Sequence, residues 1–199
     1  FNIVGKYGMQ VQSVLKKASQ LDIKTICPLH GPILRENLEH YIGKYDIWSK
    51  YETESEGVYI ACASIHGNTL KVCEKLKEIL EEKGASKVVL ADLSREDWAE
   101  AVEDSFRYGK IVFASATYDM GIFTPMRDLL LNLKGKNYQN KKVAIIENGT
   151  WAPNAARCMK EIISTMKNVE IVEPVVTIKS TLKEENIEKL NELAENLLK

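Results

Sequence analysis

The chain has almost no net charge, no long apolar run and no paired-cysteine motif. Lys plus Arg number 27 against 28 Asp plus Glu, a formal charge of −1. That balance gives no electrostatic footprint for nucleic acid or an anionic membrane surface, so neither is expected as a partner. No apolar stretch approaches the ~18 residues that a membrane helix needs, and no charged-then-apolar leader pattern is present. The four cysteines, Cys27, Cys62, Cys73 and Cys158, contain no CxxC pair, which removes zinc ribbons and thioredoxin-type centres. They are expected to be buried free thiols in a reducing, cytoplasmic setting. The lysine of a GxxxxGK loop and the spacing of GxGxxG are missing too, so ATP and dinucleotides are poor candidates. Nor does any base–nucleophile pair suited to hydrolysis occur.

What is present is an ordinary globular composition: 199 residues, 45% hydrophobic and 28% charged, enough for one or two domains with a sizeable core. From Glu56 onward, short apolar runs alternate with helical patterns. Val58-Tyr-Ile-Ala-Cys-Ala63 suits a strand buried on both faces. Leu70, Cys73, Leu76 and Leu80 then recur at helical spacing up to Gly84, a cap candidate. Further strands are expected at Lys87–Ala91, Ile111–Ala116, Val143–Ile146 and Val169–Ile178, the last broken by Pro174 and therefore suited to an edge. Between them, Ser94 can cap a helix carrying Trp98 and Val102, and Thr124-Pro125 starts another. A helix with Ala155, Met159, Ile162 and Ile163 follows, and Thr181-Leu-Lys-Glu184 reads as a capping box for the last one. Five strands alternating with five helices predict an α/β, doubly wound, five-stranded parallel sheet.

Residues 1–55 break this rhythm. They read as a partial α/β segment: a helix through Val11, Val14, Leu15 and Ala18, a strand at Ile23–Cys27, and a helix from Leu34 to Trp48. The acidic stretch Glu52–Gly57 marks the domain boundary, giving units 1–55 and 56–199. About 55 residues with one strand cannot easily make a core of their own. Phe1 occupies the place of an initiating methionine, so the chain reads as a piece cut from something longer.

Three loops carry the chemistry, each following a strand pattern and preceding a helical one. In a doubly wound sheet such loops converge on the crevice at the carboxyl ends of the strands. The first is Ser64, Ile65, His66, Gly67, Asn68 and Thr69. Ser64 and Thr69 supply hydroxyls, Gly67 allows close backbone approach, and the N–H groups of Asn68 and Thr69 open a helix whose positive end suits a phosphate. His66 is a further candidate phosphate contact. The second loop holds Thr117, Tyr118, Asp119 and Gly121, and the third Asn148, Gly149, Thr150 and Trp151. Tyr118 and Trp151 offer rings to stack on a flat cofactor, Gly121 and Gly149 let amides turn towards its edge, and Asp119 places negative charge beside it. A phosphate site next to an aromatic slot describes a flavin mononucleotide (FMN) site. A receiver domain of similar fold needs an acidic pair after the first strand, where Ser64-Ile65-His66 stands instead.

Together the loops resemble a flavodoxin domain, whose phosphate loop follows a hydroxyl-x-x-Gly-x-Thr pattern matched by Ser64, Gly67 and Thr69. His66 departs from the hydroxyl common there. The earlier stretch Cys27-Pro-Leu-His-Gly-Pro-Ile33, followed by Tyr45-Asp-Ile-Trp48, is similar to flavodiiron proteins (A-type flavoproteins). In that family a β-lactamase-like diiron domain precedes the flavodoxin domain, and a Pro-x-His-Gly-Pro histidine ligates iron. The resemblance covers the whole chain and makes residues 1–55 the tail of the diiron domain, with His30 at one ligand position. The family's H-x-E-x-D-H motif is absent, and only His30, His40 and His66 occur. Iron is therefore not expected in this chain but in the full-length parent.

The resemblance implies an electron-transfer unit receiving electrons from rubredoxin or a flavin/NADH reductase. It passes them to a diiron site that reduces O₂ to water or NO to N₂O, within a head-to-tail homodimer. Two other functions are weighed: an independent NAD(P)H:quinone reductase of flavodoxin-like fold, and an interaction domain that has lost its cofactor. NADH oxidation without an added reductase favours the former; failure to bind FMN favours the latter.

Overall fold

In a computed structural model, which describes residues 1–199, the alternating pattern becomes a layered sheet. In chain order the elements are α1 (Gly8–Ala18), α2 (Leu38–Ser49), β1 (Ser55–Ala63), α3 (Asn68–Glu82), β2 (Val88–Asp92), α4 (Trp98–Arg107) and β3 (Tyr108–Tyr118). Then follow β4 (Gly121–Ile122), α5 (Thr124–Gly135), β5 (Gln139–Asn148), α6 (Ala155–Ile163), β6 (Lys167–Ile178) and α7 (Glu184–Leu198). The five parallel strands lie in the order β2-β1-β3-β5-β6, and β4 pairs antiparallel with the end of β3. This is the flavodoxin-like order, whose switch point falls between β1 and β3.

Period-two alternation splits each central strand between two cores. Tyr59, Ala61 and Ala63 of β1 join Phe113, Ile145, Met126 and Leu130 under α4, α5 and α6. Val58, Ile60 and Cys62 join Val112, Ile146, Leu76 and Leu193 under α3 and α7. Both faces of the sheet are covered, which is why its strands read as continuous apolar runs. Pro174 lies in β6 at the sheet edge, as expected. Gly84 at φ +89° closes α3, and Pro125 occupies the first turn of α5.

Several sequence expectations are corrected. The acidic stretch Glu52–Gly57 is tied into the fold: Ser55 pairs with Tyr108, and Glu54 binds Lys44 Nζ at 2.8 Å and Trp48 Nε1 at 2.5 Å. Gly57 makes this possible, because at φ +135° its missing Cβ would lie 2.6 Å from the Lys87 carbonyl oxygen. Ile23–Cys27 forms only one bridge, Ile26 to Leu34, since no neighbouring strand offers it a ladder. The following helix starts at Leu38 rather than Leu34. Asp97, not Ser94, caps α4, accepting from Ala99 N–H at 2.6 Å; Ser94 N–H is instead turned onto the Asp92 carboxylate. The last helix begins at Glu184, where Asn186 Oδ1 accepts the Lys183 N–H at 3.0 Å, so the Thr181 capping box does not form. Cys62 and Cys73 are buried, but Cys27 is exposed and Cys158 half-buried.

Residues 1–50 contain only two buried positions, Gly8 and Ser49. The segment docks through its ends: Phe1 stacks on Phe106 with ring centroids 3.9 Å apart, and Tyr51 Oη donates to the Gly5 carbonyl at 2.8 Å. Ile3, Met9, Leu21 and Leu29 remain exposed. No helix of the chain is long and apolar enough to cross a membrane.

Candidate functional site

The first loop leaves β1 at Ala63 and enters α3 at Asn68. Gly67, at φ +85°, donates its N–H to Ser64 Oγ at 3.0 Å, folding the loop back on itself. The N–H groups of Asn68, Thr69 and Leu70 have no acceptor within the protein; they are the orphan donors of a helix start and carry its positive dipole end. Ser64 and Thr69 are buried at the base, whereas Ile65 and His66 are exposed above it. Below the loop, contact with Cys62 and burial hold the Cys73 thiol well above its ordinary pKa, which keeps that thiol protonated and unreactive.

The strand register places the other two loops beside it. Ala63 is level with Ser115, and β3 continues three residues further, so Thr117 and Tyr118 belong to the strand and overhang the first loop. This corrects the reading of Tyr118 as lying beyond the strand. Asp119 and Met120, both at positive φ (48° and 57°), form the two-residue turn from β3 into β4, which the sequence pattern did not reveal. Tyr118 is 53% exposed, with its ring against Phe123, and Trp151 is 92% exposed. Both rings are open to solvent at the carboxyl end of the sheet.

Some candidate residues have other duties. Asn148 is buried and locked to Ser180, donating to its carbonyl at 2.9 Å and accepting its N–H at 3.0 Å. It therefore holds the strand end. Thr117 Oγ1 accepts the N–H groups of Asn154 and Ala155 at 3.1 and 3.2 Å, starting α6. Gly121 lies in β4, where an added Cβ would meet nothing nearer than 3.7 Å, so no backbone freedom is required there. The positive φ values of this hairpin fall on Asp119 and Met120. Gly149 is closely packed: an added Cβ would lie 3.0 Å from both Pro153 Cα and Thr117 Oγ1. Thr150 is exposed between Gly149 and Trp151.

Sequence reasoning missed Glu147 and Asn154. Buried Glu147 accepts from Ala156 N–H and Thr177 Oγ1, each at 2.8 Å, anchoring the start of α6. Asn154 was visible only as a polar residue before an apolar helix. A depression of about 360 Å³ between Glu56, Lys83 and Lys110 lies at the amino ends of the strands, away from the crevice.

The residues present suit a flavin phosphate and ring; they do not suit a diiron centre. His30 is exposed, and no three His, Cys, Asp or Glu side chains converge anywhere to hold a metal.

No family model matches the chain. A nitric oxide reductase of Moorella thermoacetica is 25% identical over 196 residues, 98% of this chain and 47% of that protein. Among solved structures, a variant of the flavo di-iron protein of Thermotoga maritima has a TM-score of 0.84 at 26% identity, covering 98% of this chain and 48% of that one. The rubredoxin oxygen:oxidoreductase of Desulfovibrio gigas reaches a TM-score of 0.89 at 22% identity, covering 98% and 49%, a likeness of fold alone. The chain spans about half the length of the curated relatives it matches. Its fold is flavodoxin-like, and over nearly its full length it is similar to one half of proteins named flavodiiron proteins.

Proposed function

We propose that this chain is the FMN-binding, electron-carrying portion of a flavodiiron-type oxidoreductase. One observation carries the reading: a helix start with three unpartnered N–H groups and two hydroxyls, at the β1/β3 switch point, shares the carboxyl end of the sheet with two solvent-open aromatic rings. The similarity to a nitric oxide reductase and to flavo di-iron structures supports it.

Bound FMN would supply the one- and two-electron chemistry that no side chain here provides. Ser64, Thr69 and the first-turn N–H groups of α3 hold its phosphate dianion, with His66 as an outer contact. Tyr118 and Trp151 would flank the ring and exclude water from it. Asp119 would add negative charge near it and so lower the reduction potential.

In this reading residues 56–199 are the flavin domain and residues 1–55 the tail of a β-lactamase-like diiron domain. The electron donor is rubredoxin or a flavin/NADH reductase. The destination is a diiron site of the full-length parent that reduces O₂ or NO, brought close by homodimerisation. Titration of Ser64→Ala/Thr69→Ala with FMN and with riboflavin, which lacks the phosphate, tests the phosphate loop. FMN affinity is expected to fall by roughly 2–4 kcal/mol from lost charge-assisted hydrogen bonds, with riboflavin unchanged. Unchanged FMN affinity removes the loop from the mechanism.

A further inference from the structure

An asparagine immediately before a helix ordinarily caps it with its side chain. Asn154 makes no such bond. The Thr117 hydroxyl satisfies the helix start instead, accepting the N–H groups of Asn154 and Ala155. This frees the Asn154 carboxamide, which reaches across to the neighbouring loop. Its Nδ2 donates to the Met120 carbonyl at 2.5 Å, and its Oδ1 accepts from Arg157 Nε at 2.8 Å. The chemistry fixes this orientation, because a carbonyl only accepts and a guanidinium only donates.

The Met120 contact is the only side-chain hydrogen bond made to residues 118–122. It adds to the β3–β4 pairing that closes the turn. Asp119 and Met120 both sit at positive φ, and so does Ala152 (φ +48°) beside Trp151 on the facing loop. Non-glycine residues keep such conformations only when their surroundings hold them.

We propose that Asn154 is a positioning residue for the flavin ring: by tying the Met120 carbonyl to the start of α6, it holds the Tyr118–Asp119 turn at a fixed distance from the Trp151 loop. The proposal rests on the FMN reading above. A pre-formed slot does not have to be ordered at the moment of binding, and that saving appears as affinity. Arg157 orients Asn154 and so contributes at one remove.

The test titrates the purified chain and its Asn154→Ala, Asn154→Asp and Arg157→Leu variants with FMN and riboflavin, following affinity and the fluorescence of the bound flavin. Asn154→Ala is expected to weaken both ligands by about fivefold to tenfold, the worth of one hydrogen bond. Bound flavin should also become more fluorescent, as stacking on the aromatic rings loosens. Asn154→Asp keeps the acceptor for Arg157 but turns an acceptor against the Met120 carbonyl, so its loss should be at least as large. Arg157→Leu changes an exposed side chain, at the cost only of its surface ion pair with Glu161, and should give a smaller loss in the same direction. Wild-type affinity and quenching in all three variants would overturn the proposal and leave the flavin reading intact. A loss for FMN alone would also overturn it, because the effect would then lie at the phosphate. A wild-type chain that binds neither flavin overturns both readings.

Discussion

Lys141 is buried in β5 without a carboxylate partner, and its Nζ donates to the Phe106 carbonyl at 2.8 Å. Burial lowers its pKa from 10.5 to about 8. Between those values the unfolded chain binds a proton that the native chain lacks, so native stability rises with pH across that window. Below pH 8 both states are charged, and the native state bears a desolvation cost of about 3 kcal/mol, from 1.36 kcal/mol per pKa unit. Lys141→Met removes the charge and keeps the aliphatic stem, but leaves the Phe106 carbonyl without its donor, which costs about 1 kcal/mol. The net expectation at pH 7 is a gain of about 2 kcal/mol. At pH 10 most of the wild-type penalty has gone, and the two proteins should be nearly equal. Urea unfolding of both at pH 7 and pH 10 measures this directly. A variant less stable than wild type at pH 7, or a difference that does not change with pH, would refute the reasoning.

Three further outcomes follow from the packing. Tyr138→Phe removes a buried hydroxyl with no hydrogen-bond partner, so stability should hold or rise by about 1 kcal/mol; a clear loss in thermal unfolding would show that the hydroxyl is bonded. Asn148→Ala breaks both bonds to Ser180 and should cost about 1–3 kcal/mol in urea unfolding; a neutral result would mean the strand end needs no clamp. Gly149→Ala drives a Cβ against Pro153 and Thr117 and should cost about 1–3 kcal/mol of overpacking while weakening FMN binding. A melting point and flavin affinity equal to wild type would show that the loops simply yield.

The strands of residues 56–199 were legible because both sheet faces are covered, so that Val58–Ala63 and Val143–Ile146 read as unbroken apolar runs. The turn and helix start of the first loop were legible because a hydroxyl, a glycine and a helix start form a local pattern, which Ser64, Gly67 and Asn68 keep in the fold. Long-range partners were not legible. Nothing near Asn148 in sequence announces Ser180, thirty-two residues away, and nothing near Thr117 announces that its hydroxyl starts α6. The β3–β4 hairpin was missed because its positive-φ turn uses Asp119 and Met120 rather than an Asn-Gly pair. Helix starts slipped by a few residues where a second polar side chain competed, as Asp97 did with Ser94.

The central claim is that the crevice beside β1 and β3 holds FMN. An absorption spectrum of the purified chain, incubated with FMN and then freed of unbound ligand, tests it most directly. Flavin bands at a single FMN per chain are expected. A colourless protein that refuses added FMN would contradict the claim.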